Sequence, residues 1–464
     1  MLNLRKFWDA EESKLYGVKN HLNLKGSVLL LIGGCLLLLS ILILISKTGL
    51  DRSTLIFELV FFLPFSIYLM IIISTKHFKL DTKQYFLPVV VLFAFLIQII
   101  VLTTEITLSD DLYRYFLEGK MFLNGLNPYL TSLDNVPSNF TSEFLPLVNN
   151  SHITSPYPPL AILLFAILSW IWEDPLLFRI VFSISFILSI VSLDKLLLVK
   201  HRWKLVVFAW NPLFHLETGN GSHFEALIVL LIIFALLNLE QNRRGLASIT
   251  LLATFFLKYY SIFLIPLFWK RLGKNGQRIF SIGMLGYVTW IFLNPSLITG
   301  LLTFAGEWYF NASTIWVLFE LTSSFFLAKL IAGSIFIIIL IVILFKAQKY
   351  ENIPYMYAGV IIGLFLLLQP TFHPWYLFWL FPFILLEKDT IPWSWIILSG
   401  LIIFSYNVYI QFDTVNVWNE LILVRIIEYV PFYSLFLYEN RMDIFTQIKI
   451  LKSYLNKRRG IFPS

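Results

Sequence analysis

Charge is what this sequence of 464 residues has least of: only 14% of it is Asp, Glu, Lys or Arg. A soluble chain of average composition carries about 25% charged residues. With 58% of the residues hydrophobic, a single soluble core could not hide the apolar surface. Cysteine is almost missing. Cys35 stands alone inside the first apolar run, which excludes an internal disulfide framework and a cysteine-based metal site. Glycine and proline, 21 and 19, stay at ordinary levels, which excludes collagen-like and low-complexity chains. Residues 1–26 are polar and lead into a run long enough to span a bilayer, so that run is expected to be retained, not cleaved.

What the chain does have is long apolar runs, and an all-α polytopic membrane protein follows from them. A bilayer core about 30 Å thick takes about 20 apolar residues per helix. Runs at 27–46, 54–74 and 86–103 read as three spans. Lys and Arg collect in short cytoplasmic segments. Arg5, Lys6, Lys14, Lys19 and Lys25, together with Lys76, Lys79 and Lys83, therefore put the N-terminal tail and the second connection inside. The third span then emerges outside, into the longest polar stretch of the chain.

Two apolar segments conflict with that parity if each is counted as one crossing. Pro159–Trp172 would place the Lys200–Lys204 cluster outside, so it is expected to lie along the outer surface as a short helix. Segment 246–269 has basic residues on both flanks, Arg243-Arg244 and Lys270-Arg271. It is expected to break into two half-helices meeting near Lys258-Tyr259-Tyr260, since broken helices are tolerated where they line a cavity. Further spans at 177–198, 205–217, 224–239, 279–294, 322–345, 354–370, 374–386, 391–411 and 420–438 give about 12 in all, or about 14 if both halves cross. The organisation is an inside tail (1–26), three helices (27–103), an outer loop (104–176), a membrane core (177–438) and a basic inside tail (439–464).

The net charge of +7 is thus a matter of sidedness and implies no nucleic acid. Outer loops hold only Lys47, Arg52, Arg114 and Lys120, while Arg179, Lys195, Lys258, Lys329 and Arg425 fall within spans. The 104–176 loop is rich in acids instead: Glu105, Asp110, Asp111, Glu118, Asp134, Glu143, Glu173 and Asp174.

Polar groups gather at the outer ends of the spans. Ser109-Asp110-Asp111 opens a helix, with Ser109 as N-cap and acids in the first turn. Asp111, Tyr115 and Glu118 share a face there, and Asp110 can reach Arg114. The plain alternative is that both acids only stabilise the helix start. Glu217, His223 and Glu225 surround a Gly-rich turn suited to sugar hydroxyls or a phosphate; two metal ligands at i, i+2 are too few for a tetrahedral site. Lys258 is an intramembrane cation, which costs about 2.5–3.5 kcal/mol on insertion scales and is otherwise a snorkelling side chain. His373, Trp375 and Tyr376 form an aromatic outer turn, and Trp308 with Asn311 lies in the loop 295–321. Both suit sugar faces, and both also suit an interfacial belt. Arg425 and Glu428 are expected to pair at i, i+3.

Ser-Asp-Asp-Leu-Tyr-Arg-Tyr…Glu-Gly…Gly-Leu-Asn-Pro-Tyr (109–129) resembles the opening of polyprenyl-phosphate-sugar-dependent glycosyltransferases of the GT-C superfamily. The likeness is to bacterial mannosyltransferase-like members and the GPI mannosyltransferase I branch. Ser-Pro-Tyr-Pro-Pro-Leu (155–160), Trp-Asn-Pro-Leu…His-x-Glu (210–225), Lys-Tyr (258–259), Glu-Trp-x-Phe-Asn-x-Ser (307–313) and His-Pro-Trp-Tyr (373–376) extend it in order over about 100–380. The resemblance implies a GT-C-like bundle and a site outside the plasma membrane of a bacterium. It implies Asp111, with Asp110 adjacent, as the base that activates an acceptor hydroxyl on a glycan, lipid or protein. Arg114, Tyr115, Glu118, Tyr157, Glu217, His223, Glu225, Lys258, Trp308, Asn311, His373, Trp375 and Tyr376 are the expected substrate-binding residues. The donor would be a polyprenyl-phosphate hexose, inverted on transfer, with no cofactor and no obligatory metal. A flippase or transporter of lipid-linked saccharides is the rival reading. Its ionisable groups should sit at midplane on broken helices. A ligase or polymerase would need more outer arginines for a diphosphate.

Overall fold

A computed structural model describes residues 24–77, 85–347, 349, 355–387, 391–415 and 417–459. The basic residues Arg5, Lys6, Lys14, Lys19, Lys79 and Lys83 lie outside the described residues. Those described build an all-α polytopic membrane protein, and an isolated bridge from Phe310 to Thr371 stands where a sheet would. The first three helices are α1 (Leu24–Thr48), α2 (Leu55–His77) and α3 (Phe86–Leu102). The polar stretch that follows carries α4 (Asp111–Leu123) and α5 (Pro159–Ile171). Next come α6 (Leu176–Asp194), the short α7 (Leu205–Ala209) and α8 (Pro212–Gly219), then α9 (Glu225–Glu240), α10 (Arg244–Leu257) and α11 (Ile265–Leu293). A connection bearing α12 (Thr299–Glu307) and α13 (Ser313–Thr322) leads to α14 (Phe325–Ala347) and α15 (Tyr355–Leu368). The chain closes with α16 (Phe381–Leu386), α17 (Trp393–Leu401), α18 (Asn407–Val415) and α19 (Ile422–Arg459).

The bundle has two chemically distinct ends. At one, the α1–α2 turn meets the start of the long loop: Thr107 Oγ1 donates to Leu50 O (2.8 Å) and Arg52 Nη1 to Leu108 O (2.5 Å). Asn220 clamps the same strip, donating to Glu105 O (2.5 Å) and accepting from the Leu108 amide (2.9 Å). Arg179, on α6, donates to Gly219 O (2.8 Å) and Val101 O (3.2 Å). At the other end the basic segments gather. Lys76 lies 5.5 Å from the Trp203 ring, Lys204 donates to Glu387 O (2.6 Å) and Arg202 pairs with Asp194 (2.6 Å). The charge grouping read from the sequence is thus a grouping in space.

Segment 246–269 turns back on itself. Helix α10 runs beside α9 until Lys258 adopts extended backbone (φ −155°, ψ 126°) next to Glu225, the first residue of α9. A 3₁₀ stretch, Tyr259–Leu264, and the first turns of α11 lead back to Gly273, whose φ of +58° makes the corner. A Cβ there would lie 2.6 Å from Arg244 Nη1, so the two basic flanks touch. From Gly273 onward α11 rises parallel to α10, with Gly276 against the Arg244 carbonyl and Gly283 against Leu252. The break falls at the residues expected.

Among the described residues, five helices are long and apolar enough to cross a membrane unaided, or six if the pair Tyr259–Leu293 and Pro295–Glu307, bent by 108°, is one span. That is fewer than the count of about 12–14 read from apolar runs. The difference lies in runs such as 205–217, which is cut by Asn211-Pro212 into α7 and α8; Asn211 Oδ1 caps the second by accepting the Leu213 amide (3.1 Å). Lipid-facing surfaces are apolar, as at Met70, Phe292 and Phe326. Helix α5 has 13 residues, as its short apolar run predicted. It packs on α4 where Gly119 meets the Phe165 backbone; a Cβ would come within 2.5 Å. Leu163, Ile167, Trp170 and Ile171 form its exposed face.

Candidate functional site

The head of α4 carries Asp110 and Asp111 to the middle of the loop-rich end. Asp110, not the expected Ser109, occupies the N-cap and makes no side-chain cap bond; Ser109, one residue before it, accepts the Asp111 amide on its Oγ (3.2 Å). Asp111 is the open member of the cluster, its side chain 37% exposed. Its Oδ2 faces Tyr115 OH (3.4 Å) and His223 Nδ1 (3.7 Å).

His223 is fully buried, in the turn between α8 and α9. Its Nε2 lies 3.4 Å from Glu217 Oε2, and Glu217 Oε1 accepts from Tyr406 OH (2.6 Å). A line of side chains therefore runs Tyr406–Glu217–His223–Asp111. Glu225 does not join His223 as a ligand partner. It turns the other way and pairs with Lys258, which lies 5.0–5.4 Å from the rings of Phe224, Tyr376 and Trp379. A buried carboxylate next to a cation ringed by aromatic faces meets much of the cation's desolvation cost.

Burial raises the Asp111 carboxyl, and Asp110 adds to the rise, to about 6. Asp110 is also raised by burial, with Arg52 opposing. Burial and then Lys258 push His223 well below the usual imidazole range, so it is neutral. Asp111 is ionised at neutral pH and close to its protonated form, the condition that suits a general base.

A column of rings roofs the cluster. His223 stacks on Trp375 (centroids 3.5 Å apart), Trp375 on His373 (4.2 Å) and His373 on Phe310 (4.6 Å). A second column runs Tyr376–Trp379–Tyr260 at 4.2 and 3.9 Å. Pro374 opens the 3₁₀ turn that sets Trp375, Tyr376 and Trp379 on these columns. Among the described residues, several buried polar atoms here have no hydrogen-bond partner: both His223 nitrogens, Glu217 Oε2, Glu225 Oε2, Tyr260 OH and His373 Nδ1. Unpartnered buried polar atoms in native proteins mark places where water or ligand groups complete the set.

Of the expected residues, Asp110, Asp111, Tyr115, Tyr157, Glu217, His223, Glu225, Lys258, His373, Trp375 and Tyr376 come together. Tyr157 joins through its ring, 5.3 Å from Tyr115 and 5.9 Å from Phe224. Arg114 and Glu118 have other partners. Arg114 does not reach back to Asp110; it bonds Glu118 (3.1 Å) and the carbonyls of Asn149 (3.0 Å) and Asn150 (2.6 Å), while Glu118 accepts from Ser155 (2.6 Å). These two pin the loop onto α4. Asn311 belongs to a different cluster: its amide donates to Glu420 (2.9 Å) and its carbonyl accepts from Tyr429 (2.6 Å). Arg425 pairs there with Glu420 (2.8 Å), in place of the expected Glu428. Trp308 stacks on Phe304.

Arg52, Tyr406, Tyr409, Phe310 and Trp379 were not singled out from sequence. Arg52 lies 3.6 Å from the Tyr409 ring and close enough to oppose the rise of Asp110. Among the described residues no group of three or more His, Cys, Asp and Glu is arranged to hold a metal ion.

Residues 88–271 match a family model described as alpha-(1->6)-mannopyranosyltransferase, N-terminal domain. The matched stretch contains Asp111, Glu217, His223, Glu225 and Lys258, and it agrees with the resemblance carried by the motifs. It indicates a mannosyltransferase, a glycosyltransferase acting in the membrane. No curated protein and no solved structure matches the chain.

Proposed function

We propose that this protein moves a mannose-like hexose from a polyprenyl-phosphate donor to a hydroxyl acceptor, with inversion, at the outer face of a bacterial plasma membrane. The observation that carries the reading is the asymmetry around Asp111. It is an open carboxylate raised toward neutrality, with buried Glu217–His223 behind it and the Lys258–Glu225 pair close enough to act on its charge. Asp111 takes the acceptor proton as the acceptor oxygen attacks the anomeric carbon. The carbon–phosphate oxygen bond breaks on the opposite face, and the polyprenyl phosphate leaves with the electron pair. Inversion to an α-(1→6) product calls for a β-linked donor. Lys258 and the aromatic faces around it meet the departing phosphate, where positioned charge in a site shielded from water is worth most. Neutral His223, 3.7 Å away, does not compete with Asp111 for its proton. The gathering of Lys76, Arg202, Lys204 and Arg244 at the other end supports a cytoplasmic face there and an outer face at the Asp111 end, with α5 along the outer membrane surface. The reading calls on no metal.

Asp111→Asn keeps the size and one carbonyl acceptor but cannot take a proton. Positioned base catalysis contributes about 10²–10⁴-fold. Single-turnover transfer in nanodiscs should fall by that factor while binding of the donor lipid survives. Near-full transfer in the variant removes Asp111 as base. Transport of a lipid-linked sugar that continues with Asp110, Asp111 and Glu118 all neutralised would favour the flippase reading.

A further inference from the structure

A second groove lies on α4, at the end away from Asp111. It is a cleft of about 430 Å³ between the last turn of α4, the last turn of α5 and the loop at 139–141. That volume lies within the usual range for small-ligand sites, about 300–1,000 Å³. Its lining includes Asn124, Asn139 and Thr141, with Trp170 at the rim. Trp170 is 76% exposed, beside the exposed Ile167 and Ile171 of the same helix. Lys120 and Glu173 also line it, and they pair with each other (2.5 Å).

The chemistry of this lining is selective. Lys120 is paired with Glu173, and the other polar side chains of the lining are uncharged. What remains is the side chains of Asn139 and Thr141 beside two aromatic rings, Phe140 and Trp170, with the Asn124 amide donating to the Lys120 carbonyl (2.8 Å). Hydroxyl-rich rings with one apolar face satisfy both, and that describes a neutral saccharide. Position supports the same ligand. Lys120 lies nine residues from Asp111 on one continuous helix, about 13 Å along its axis at about 1.5 Å per residue. A growing glycan with its reactive hydroxyl at Asp111 could lay an earlier part of its chain in the groove.

We infer that this cleft is a distal subsite for an oligosaccharide acceptor, engaging sugar units several residues back from the one extended. The ligand class rests on the glycosyltransferase reading; binding itself can be measured without turnover. The probes are α-(1→6)-mannohexaose and the corresponding mannobiose, titrated onto the full chain in nanodiscs, with transfer to each acceptor measured in parallel. Trp170→Ala, and separately Asn124→Ala combined with Asn139→Ala, should weaken the hexaose about tenfold, the usual scale for removing an aromatic or polar anchor. Mannobiose binding, and transfer to mannobiose, should stay unchanged. Hexaose affinity that is unaltered in both variants overturns the subsite. So does a Trp170→Ala effect confined to detergent or vesicle partitioning, which would make the indole an interfacial anchor. Hexaose binding that depends on Trp170 without transfer to any acceptor would leave the subsite standing and remove the proposed reaction. Transfer to mannobiose with no hexaose preference would do the reverse.

Discussion

Two buried polar clusters sit at the same end of the bundle, and they are built for different ends. Both hold buried polar atoms with no hydrogen-bond partner among the described residues, but around Asp111 the carboxylates, cation and aromatic rings surround a side chain left 37% exposed. Around Asn311, the Glu420–Arg425 pair is 10% exposed or less, and its bonds run to backbone: Glu420 to the Asn311 amide, Tyr429 to the Asn311 carbonyl. The second cluster ties the connection between α11 and α14 to the head of α19. The first ties together α4, α8, α9 and α10 but leaves one carboxylate facing out. Buried charge and unsatisfied polar atoms are common to both clusters; access to one carboxylate is what differs.

The sharpest test of that contrast is the Asp111→Asn variant, where transfer should fall about 10²–10⁴-fold with protein yield unchanged. Next in size is pH. A base raised to about 6 must be ionised to act, so kcat/KM should rise with pH below 6, about tenfold per unit, and level off above it. Neutral His223 adds no second limb in that range; a profile flat between pH 4.5 and 7 would detach the activity from Asp111. Arg425→Met should show the opposite pattern. Removing one partner of a buried pair costs about 3–5 kcal/mol, so thermal stability should drop while transfer per folded molecule holds. Tyr406→Phe strips one hydrogen bond from Glu217, worth about 0.5–1.5 kcal/mol, and should slow transfer a few-fold in single-turnover assays. Trp308→Ala, which touches neither cluster, should leave both readouts within error.

The first cluster was legible where chemistry is contiguous in the chain. Asp110-Asp111-Leu-Tyr113 and Glu217…His223…Glu225 declare themselves because acids and histidine are rare in apolar surroundings. Lys258 declared itself by cost, and basic flanks on both sides announced the break beside it. Pairings over long separations stayed hidden: nothing local in Tyr406 points to Glu217, and nothing in Arg52 points to Tyr409. Arg114 and Asn311 lie apart from that cluster for a related reason. Each has the right chemistry and neighbourhood in sequence, but its hydrogen bonds are taken up by backbone groups that only the folded loop brings near. Span counting from hydropathy likewise assumes that an apolar run is one helix, and Asn211-Pro212 cuts such a run in two.

The turned-back segment through Lys258 also has a consequence for biogenesis. As it leaves the ribosome, 246–269 is a single apolar stretch long enough to thread as one crossing. Positive charge at both of its ends favours two legs over one crossing, because basic flanks tend to stay on the same side of the bilayer. Residues 270–274 are thus an address label for everything downstream. Neutralising Lys270, Arg271 and Lys274 together would let the stretch thread once and invert each later segment, carrying the Trp375 and Tyr376 turn to the wrong face of the membrane. The chain would then be inserted and stable enough to detect, yet it would present Asp111 and the rings that roof it on opposite sides of the lipid.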